Sequence, residues 1–148
     1  MIEMLPDGLR VVRRVRAVRE DAFDAWVNPA RLRAWFGPVG TTLVAVDGEL
    51  RVGEQYRLQV RREDGSVDEL IWSFREIVPP ERLVFGWAVG SGPSAGSPET
   101  VVTITFRDGG SFTEIALEHT GVQGEQQRQM FTAGWKDCFA GLETLLHQ

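Results

Sequence analysis

The sequence predicts an α+β fold in which one long C-terminal helix covers one face of an antiparallel sheet. Between residues 41 and 119, apolar and polar residues alternate with a period of two, and turn-forming pairs such as Asp64-Gly65 separate the segments. From Gly124 to His147 the apolar residues recur at three- and four-residue steps, as on an amphipathic helix. A helix of this length spans roughly 36 Å and can cross a small domain. We therefore expect the helix and the sheet to bury each other's apolar faces.

The chain before this sheet region predicts one strand and two short helices. Leu9–Ala17 alternates incompletely between apolar and basic residues, which suits a strand with one solvated face. Glu20–Val27 is predicted to be a helix, because its acidic first turn suits the positive end of the helix dipole. Asn28 then ends this helix and caps the next, Pro29–Trp35, since Asn is a good N-cap and Pro fits the first helical position.

Six further strands are predicted in succession. Short connections join them, so we expect an antiparallel meander. The stretch Gly90–Pro98 (GSGPSAGSP) predicts a mobile loop between two strands at one rim. The predicted strands lie near Thr41–Val46, Gln55–Arg62, Val67–Ile77, Leu83–Val89, Thr100–Arg107 and Phe112–His119.

Composition narrows the function classes. The length of 148 residues and the absence of repeats predict one domain, residues 1–148, large enough to bury a core. A net charge of −5 argues against general nucleic-acid binding. The first residues lack a signal-peptide pattern, and no apolar run has the length of a membrane span. We therefore expect no nucleic-acid partner and no membrane span.

Cysteine and histidine are too few for a zinc site. Cys138 is the only cysteine, and His119 and His147 are the only histidines. No phosphate-binding loop or nucleophile elbow is present. We therefore expect no metal site. The lone cysteine forms no intrachain disulfide, which fits a reducing cytoplasm, and its place on the apolar stripe favours a buried hydrophobic role over that of a nucleophile.

An apolar cavity is expected between the sheet and the long helix. Alternation places the aromatic residues of neighbouring strands on the face that the helix covers, and few polar residues accompany them. Trp35 and Phe36 are expected to close one end of this cavity. Met130, Gly134 and Cys138 are expected to form its roof, with Trp135 near the centre of the helix stripe. The candidate strand residues of the wall are Tyr56, Trp72, Phe74, Phe85, Trp87 and Phe106.

Two features of this candidate site have alternative interpretations. Gly134 and Gly141 lie inside the predicted helix, where each costs about 1 kcal/mol relative to Ala. They indicate either close packing against the helix backbone or space left for a ligand. His119 closes the last predicted strand. It is either a structural histidine or a hydrogen-bond donor or proton carrier at the mouth of the pocket.

Several segments of the chain resemble a known family. The most specific are EIVPPERLVFGW, the His-Thr-Gly at the end of the last strand and the Gly-Trp of the long helix. These segments resemble bacterial homologues of the heat-shock-protein-90 ATPase activator, within the START-like helix-grip (SRPBCC) superfamily, over roughly residues 10 to 147. The resemblance implies a curved seven-stranded antiparallel sheet that grips the long helix, a deep apolar cavity and no cofactor. The chain lacks the additional N-terminal domain of the eukaryotic activators, which argues against a chaperone role.

The resemblance also sets the functional expectation. Members of the wider superfamily bind lipids, sterols or polyketides, and some are aromatases or cyclases. We expect a small cytoplasmic protein that binds a hydrophobic small molecule of unknown identity. Two alternatives stay open: a cyclase-, aromatase- or hydrolase-like enzyme on the same scaffold, and a stress-response or chaperone-associated interaction domain. The sequence also leaves a homodimer open.

Overall fold

The described part of the chain, residues 1–92 and 95–148 of a computed structural model, forms one antiparallel sheet and three helices. The strands follow one another across the sheet in the order β1-β2-β8-β7-β6-β5-β4-β3. The strands are β1 (Ile2–Leu5), β2 (Gly8–Val15), β3 (Thr42–Gly48), β4 (Gln55–Arg61), β5 (Val67–Val78), β6 (Arg82–Ser91), β7 (Thr100–Asp108) and β8 (Thr113–Thr120), and the helices are α1 (Arg19–Val27), α2 (Pro29–Trp35) and α3 (Gly124–Leu146).

This architecture confirms the predicted α+β class, the antiparallel meander from β3 to β8, the two short helices and the long C-terminal helix. The predicted strand count of seven is corrected to eight in the described residues. The additional strand, β1, forms a tight hairpin with β2 in which Leu5 pairs with Gly8. Its sequence gives no periodic signal, because it has four residues and the two in the middle are exposed.

The end of β6 also differs from the prediction. Gly90 and Ser91 belong to this strand and not to the predicted loop Gly90–Pro98. The extension has a clear cause, since the Ser91 hydroxyl accepts a hydrogen bond from the backbone N–H of Glu69 on β5 at 3.0 Å. Pro93 and Ser94 lie outside the described residues, so the mobility expected of this loop stays a prediction.

The first two helices pack on one face of the sheet, α1 against β7 and α2 against the edge strand β3. Asn28 joins them as predicted, because its side-chain oxygen accepts the Ala30 N–H at 3.1 Å and caps α2. The fully buried Trp26 of α1 is the centre of an aromatic cluster. Its ring lies 4.7 Å from that of Trp35 and 6.0 Å from those of Trp135 and Phe139 on α3. This cluster joins α1 and α2 to α3.

Helix α3 changes its surroundings along its length. Its second half packs on β2, α1 and α2 and buries Cys138, Phe139, Leu142 and Leu146. Its first half keeps Met130 about half exposed. This half lies over the part of the sheet that α1 and α2 do not cover, and a cavity remains beneath it.

Candidate functional site

A cavity of about 300 Å³ lies between the first half of α3 and the ends of β4, β5 and β6. The loop between α2 and β3 and the start of β7 complete its wall. Its apolar wall residues are Phe36, Pro38, Val60, Leu70, Trp87, Val89, Pro98, Met130, Phe131, Gly134, Trp135 and Cys138, and its polar ones are Thr41, Arg62, Asp68, Ser91, Ser97, Thr100 and Gln127.

The structure brings six of the thirteen predicted site residues together in this wall. They come from the start of the α2–β3 loop, from β6 and from α3, and they form the roof and one side. These six are Phe36, Trp87, Met130, Gly134, Trp135 and Cys138. Whether any of them contacts a ligand stays a prediction.

The other seven lie outside the cavity wall, which corrects the expected lining. The reason is that other side chains of the core already occupy the space that these seven side chains face. The Trp72 ring stacks on that of Phe85 at 4.2 Å, and the Tyr56 hydroxyl donates to the Val27 carbonyl at 2.6 Å. The residues in this buried set are Trp35, Tyr56, Trp72, Phe74, Phe85, Phe106 and His119.

Sequence reasoning missed the polar part of the wall. Arg62 follows β4 and Asp68 is in β5, and the Arg62 guanidinium contacts one Asp68 carboxylate oxygen at 2.7 Å through Nε and at 2.6 Å through Nη2. Arg62 is partly exposed, so the pair lies at the mouth of the cavity. Charged residues beside a turn are usually solvated, so the sequence did not indicate that Arg62 and Asp68 lie in a cavity wall. Val60 and Leu70, by contrast, could have been found from their alternation.

The two glycines of α3 have different surroundings. A Cβ atom at Gly141 would lie 2.7 Å from the backbone carbonyl oxygen of Trp35, so this glycine permits close packing of α3 on α2. A Cβ atom at Gly134 would have nothing within 4 Å, and Gly134 is part of the cavity wall. Close packing against the helix backbone therefore fits Gly141, and space beside the helix fits Gly134.

His119 lies behind the wall and is fully buried, so it is not a donor at the mouth. The Trp135 indole N–H donates to His119 Nδ1 at 3.0 Å, and His119 Nε2 lies 2.7 Å from the Thr100 hydroxyl oxygen. Burial lowers the pKa of His119 to about 3, because the charged imidazolium would lose its hydration there. The neutral ring links the roof residue Trp135 to the strand residue Thr100.

Cys138 is a thiol in the roof of the cavity. Burial raises its pKa to about 12, so the reactive thiolate is strongly disfavoured at neutral pH. The described residues contain no cluster of three or more His, Cys, Asp or Glu side chains that could hold a metal ion. Among the same residues, no helix combines the length and the hydrophobicity that crossing a bilayer requires.

Solved structures with this fold come from several bacteria. A protein from Chromobacterium violaceum is 22% identical, has a TM-score of 0.87 and is matched over 97% of this chain and 99% of its own. A solution structure from Arthrobacter aurescens is 19% identical, with a TM-score of 0.85 over 99% of this chain and 91% of its own. A protein from Nitrosomonas europaea is 20% identical, with a TM-score of 0.81 over 96% and 95%.

These likenesses show the fold alone, which is the helix-grip fold. A comparison with curated proteins found no match. The sequence model described as "Activator of Hsp90 ATPase homolog 1-like protein" matches residues 16–147. Because this match covers most of the chain, the protein belongs to the family of Activator of Hsp90 ATPase homolog 1-like proteins.

Proposed function

We propose that this protein binds a hydrophobic small molecule in the cavity beneath the first half of α3. The observation that carries the proposal is the cavity itself, about 300 Å³ in volume and walled mainly by apolar and aromatic side chains. A pocket of this size is at the lower end of the range for small-molecule sites. The family is one whose fold commonly binds hydrophobic ligands, which supports the same function.

The helix geometry gives the proposal further support. A glycine inside a helix costs about 1 kcal/mol relative to alanine. At Gly134 no neighbouring atom would clash with a larger residue, since an added Cβ would meet nothing within 4 Å. Close packing therefore does not account for a glycine at this position. An absent side chain at this position keeps the roof of the cavity thin. The open space at Gly134 supports the proposal that this glycine leaves room for a ligand.

The wall chemistry favours binding over catalysis. Cys138 is held as a thiol, and His119 is neutral and fully buried behind the wall, so neither is poised as a nucleophile or a base at a bound molecule. The partly exposed Arg62 and its partner Asp68 supply polarity at the mouth. This arrangement suits a ligand with a mainly apolar body.

A titration with the neutral fluorophore N-phenyl-1-naphthylamine tests the proposal. Trp87 and Trp135 lie in the cavity wall, so energy transfer from tryptophan to the bound probe reports occupancy. We expect saturable binding to the wild type and loss of binding in Gly134→Leu, whose side chain would fill the cavity.

Ala133→Leu is the matched control, because it adds the same side chain at the adjacent, exposed position of the same helix. It should bind the probe as the wild type does. Wild-type protein without saturable binding, or equal binding by folded Gly134→Leu, would contradict the proposal.

The proposed location is the cytoplasm. Cys138 is the only cysteine of the sequence and is buried, so the fold uses no intrachain disulfide. This fits a reducing compartment. Fractionation of cells that produce the untagged protein, followed by immunodetection, would place it.

A further inference from the structure

The hydrogen-bond chain behind the cavity wall begins at Trp135. An indole N–H can only donate, so the 3.0 Å contact with His119 requires Nδ1 of the imidazole to be the acceptor. A neutral imidazole then carries its proton on Nε2. The tautomer of His119 is therefore fixed by Trp135, which is itself a residue of the cavity roof.

The next link is the hydroxyl of Thr100. His119 Nε2 lies 2.7 Å from Thr100 Oγ, and with its proton on Nε2 the histidine donates to this oxygen. The Thr100 hydroxyl thus serves as the acceptor in that contact, and its own proton must point to a different group. Hydrogen bonds in such a chain polarise one another, so this proton is a better donor than that of an isolated hydroxyl.

Within residues 1–92 and 95–148, the one acceptor in reach of this proton is a distant one. The Trp87 carbonyl oxygen lies 3.5 Å from Thr100 Oγ, at the outer limit of a hydrogen bond. Thr100 is 2% exposed and is part of the cavity wall. The wall residue Thr41 differs from it, because its hydroxyl already donates to the Pro38 carbonyl at 2.7 Å. A buried donor whose proton lacks a close acceptor favours a partner that supplies one.

We propose that the hydrophobic ligand of this cavity carries an oxygen acceptor, of the carbonyl type, that receives a hydrogen bond from the Thr100 hydroxyl. The inference rests on the proposed function and adds the chemical class of the ligand to it. An aromatic or aliphatic ketone, aldehyde or ester has the required combination of an apolar body and an acceptor without a donor. His119 acts as a positioning residue, since its Nε2–H turns the Thr100 hydroxyl proton away from itself.

A matched pair of probes tests the inference. 2-Acetylnaphthalene and 2-isopropenylnaphthalene have nearly the same shape and differ in a C=O group that replaces C=CH₂. Their dissociation constants are measured by quenching of tryptophan fluorescence in the wild type, Thr100→Val and Thr100→Ser. The quantity of interest is the ratio of the two constants in each protein, because differences in hydration of the free probes cancel between proteins.

We expect Thr100→Val to reduce the preference for the ketone by about 2- to 12-fold, the range that one net hydrogen bond gives. Thr100→Ser should retain the wild-type ratio, and the affinity for the hydrocarbon should be similar in all three proteins. His119→Gln should also retain the ratio, since an amide can accept from Trp135 and donate to Thr100, whereas His119→Leu should reduce it.

The outcomes separate the two proposals. If neither probe binds the wild type, the proposed function fails and the inference fails with it. If both bind and the ratio is the same in the wild type and Thr100→Val, the inference alone is overturned. If Thr100→Val does not fold, the inference is tested with infrared spectra of carbonyl-¹³C-labelled 2-acetylnaphthalene bound to the wild type. A C=O stretch at lower wavenumber than in hexane supports the hydrogen bond. An unshifted C=O stretch overturns the inference.

Discussion

Gly134 and Gly141 lie in the same helix, yet an added methyl group would meet open space at one and the Trp35 backbone at the other. The same substitution should therefore have opposite effects at the two positions. Gly134→Ala should raise the free energy of unfolding by about 0.5–1 kcal/mol, because alanine is the better helix former and nothing obstructs its Cβ. Urea unfolding followed by far-UV circular dichroism measures the change.

Gly141→Ala should instead lower the free energy of unfolding by about 1–3 kcal/mol. Its Cβ would lie 2.7 Å from the Trp35 carbonyl oxygen, and a backbone atom at the end of α2 can move away only with the helix. The same urea experiment gives the comparison. Stabilisation by both substitutions would show that α2 and α3 are not in close contact at this point.

His119 should make the protein less stable in acid. Its pKa is about 3 in the folded protein and about 6.5 in an unfolded chain, so between these values only the unfolded chain takes up a proton. Stability from this group is therefore complete above pH 6.5 and falls by about 1.4 kcal/mol for each pH unit below it. His119→Gln removes the titrating group and keeps an amide that can bond to Trp135 and Thr100.

The unfolding free energies of the wild type and His119→Gln are measured between pH 7 and pH 4.5. Their difference isolates the contribution of His119, because the carboxylates titrate in both proteins. It should shift in favour of the variant as the pH falls. A pH-independent difference would mean that His119 is hydrated in the folded protein.

At the scale of elements, α3 does two different things along its length: its second half closes the core and its first half roofs the cavity. Trp135 lies at the junction, 2% exposed, in contact with the rings of Trp26, Phe36 and Trp87. Trp135→Ala should lower the free energy of unfolding by about 3–5 kcal/mol, the usual cost of truncating a large buried aromatic residue. The midpoint of urea unfolding reports this loss.

Lys136→Ala is the control for the helix itself, because Lys136 is the exposed neighbour of Trp135. A substitution at such a surface position should change stability by less than about 0.5 kcal/mol. Equal effects of the two substitutions would place Trp135 outside the core and shift the phase of the helix.

Element type and order were predictable because each buried element repeats its pattern several times. The alternation in β4 to β8 and the three- and four-residue steps of α3 are signals of this kind. Strand β1 was missed, since four residues with an exposed middle do not establish a period. The local pattern of apolar residues therefore predicts an element only when the element is long enough for that pattern to repeat.

The cavity wall was predicted less well, for a different reason. Alternation shows that Trp72 and Phe85 lie on the same face of the sheet, the buried one, but not which element lies against them. The two short helices occupy that place, and the open space lies farther along the strands. Thr100, Arg62 and Asp68 reach the wall through strand order and hairpin geometry, which depend on contacts between residues distant in sequence. Such long-range contacts produce no pattern in the local sequence from which they could be predicted.

For the whole molecule, the hollow beneath α3 should make stability depend on ligand. A molecule that binds the folded protein but not the unfolded chain stabilises it by about 2.7 kcal/mol when its free concentration is one hundred times its dissociation constant. N-phenyl-1-naphthylamine at that concentration should raise the unfolding free energy of the wild type and of Ala133→Leu by this amount. Gly134→Leu should gain little, because its side chain occupies the space that the probe needs.

Urea unfolding with and without the probe, followed by circular dichroism so that the probe's fluorescence does not interfere, measures all three differences. Gly134→Leu should also be more stable than the wild type without probe, since leucine is a far better helix former than glycine and fills an apolar space. Gly134→Leu would then be more stable without the probe and would gain less stability from it than the wild type. This is expected when a protein keeps space for a ligand at the expense of packing. An equal gain from the probe in Gly134→Leu would instead place its binding on the outer surface, around exposed residues such as Val39 and Val52.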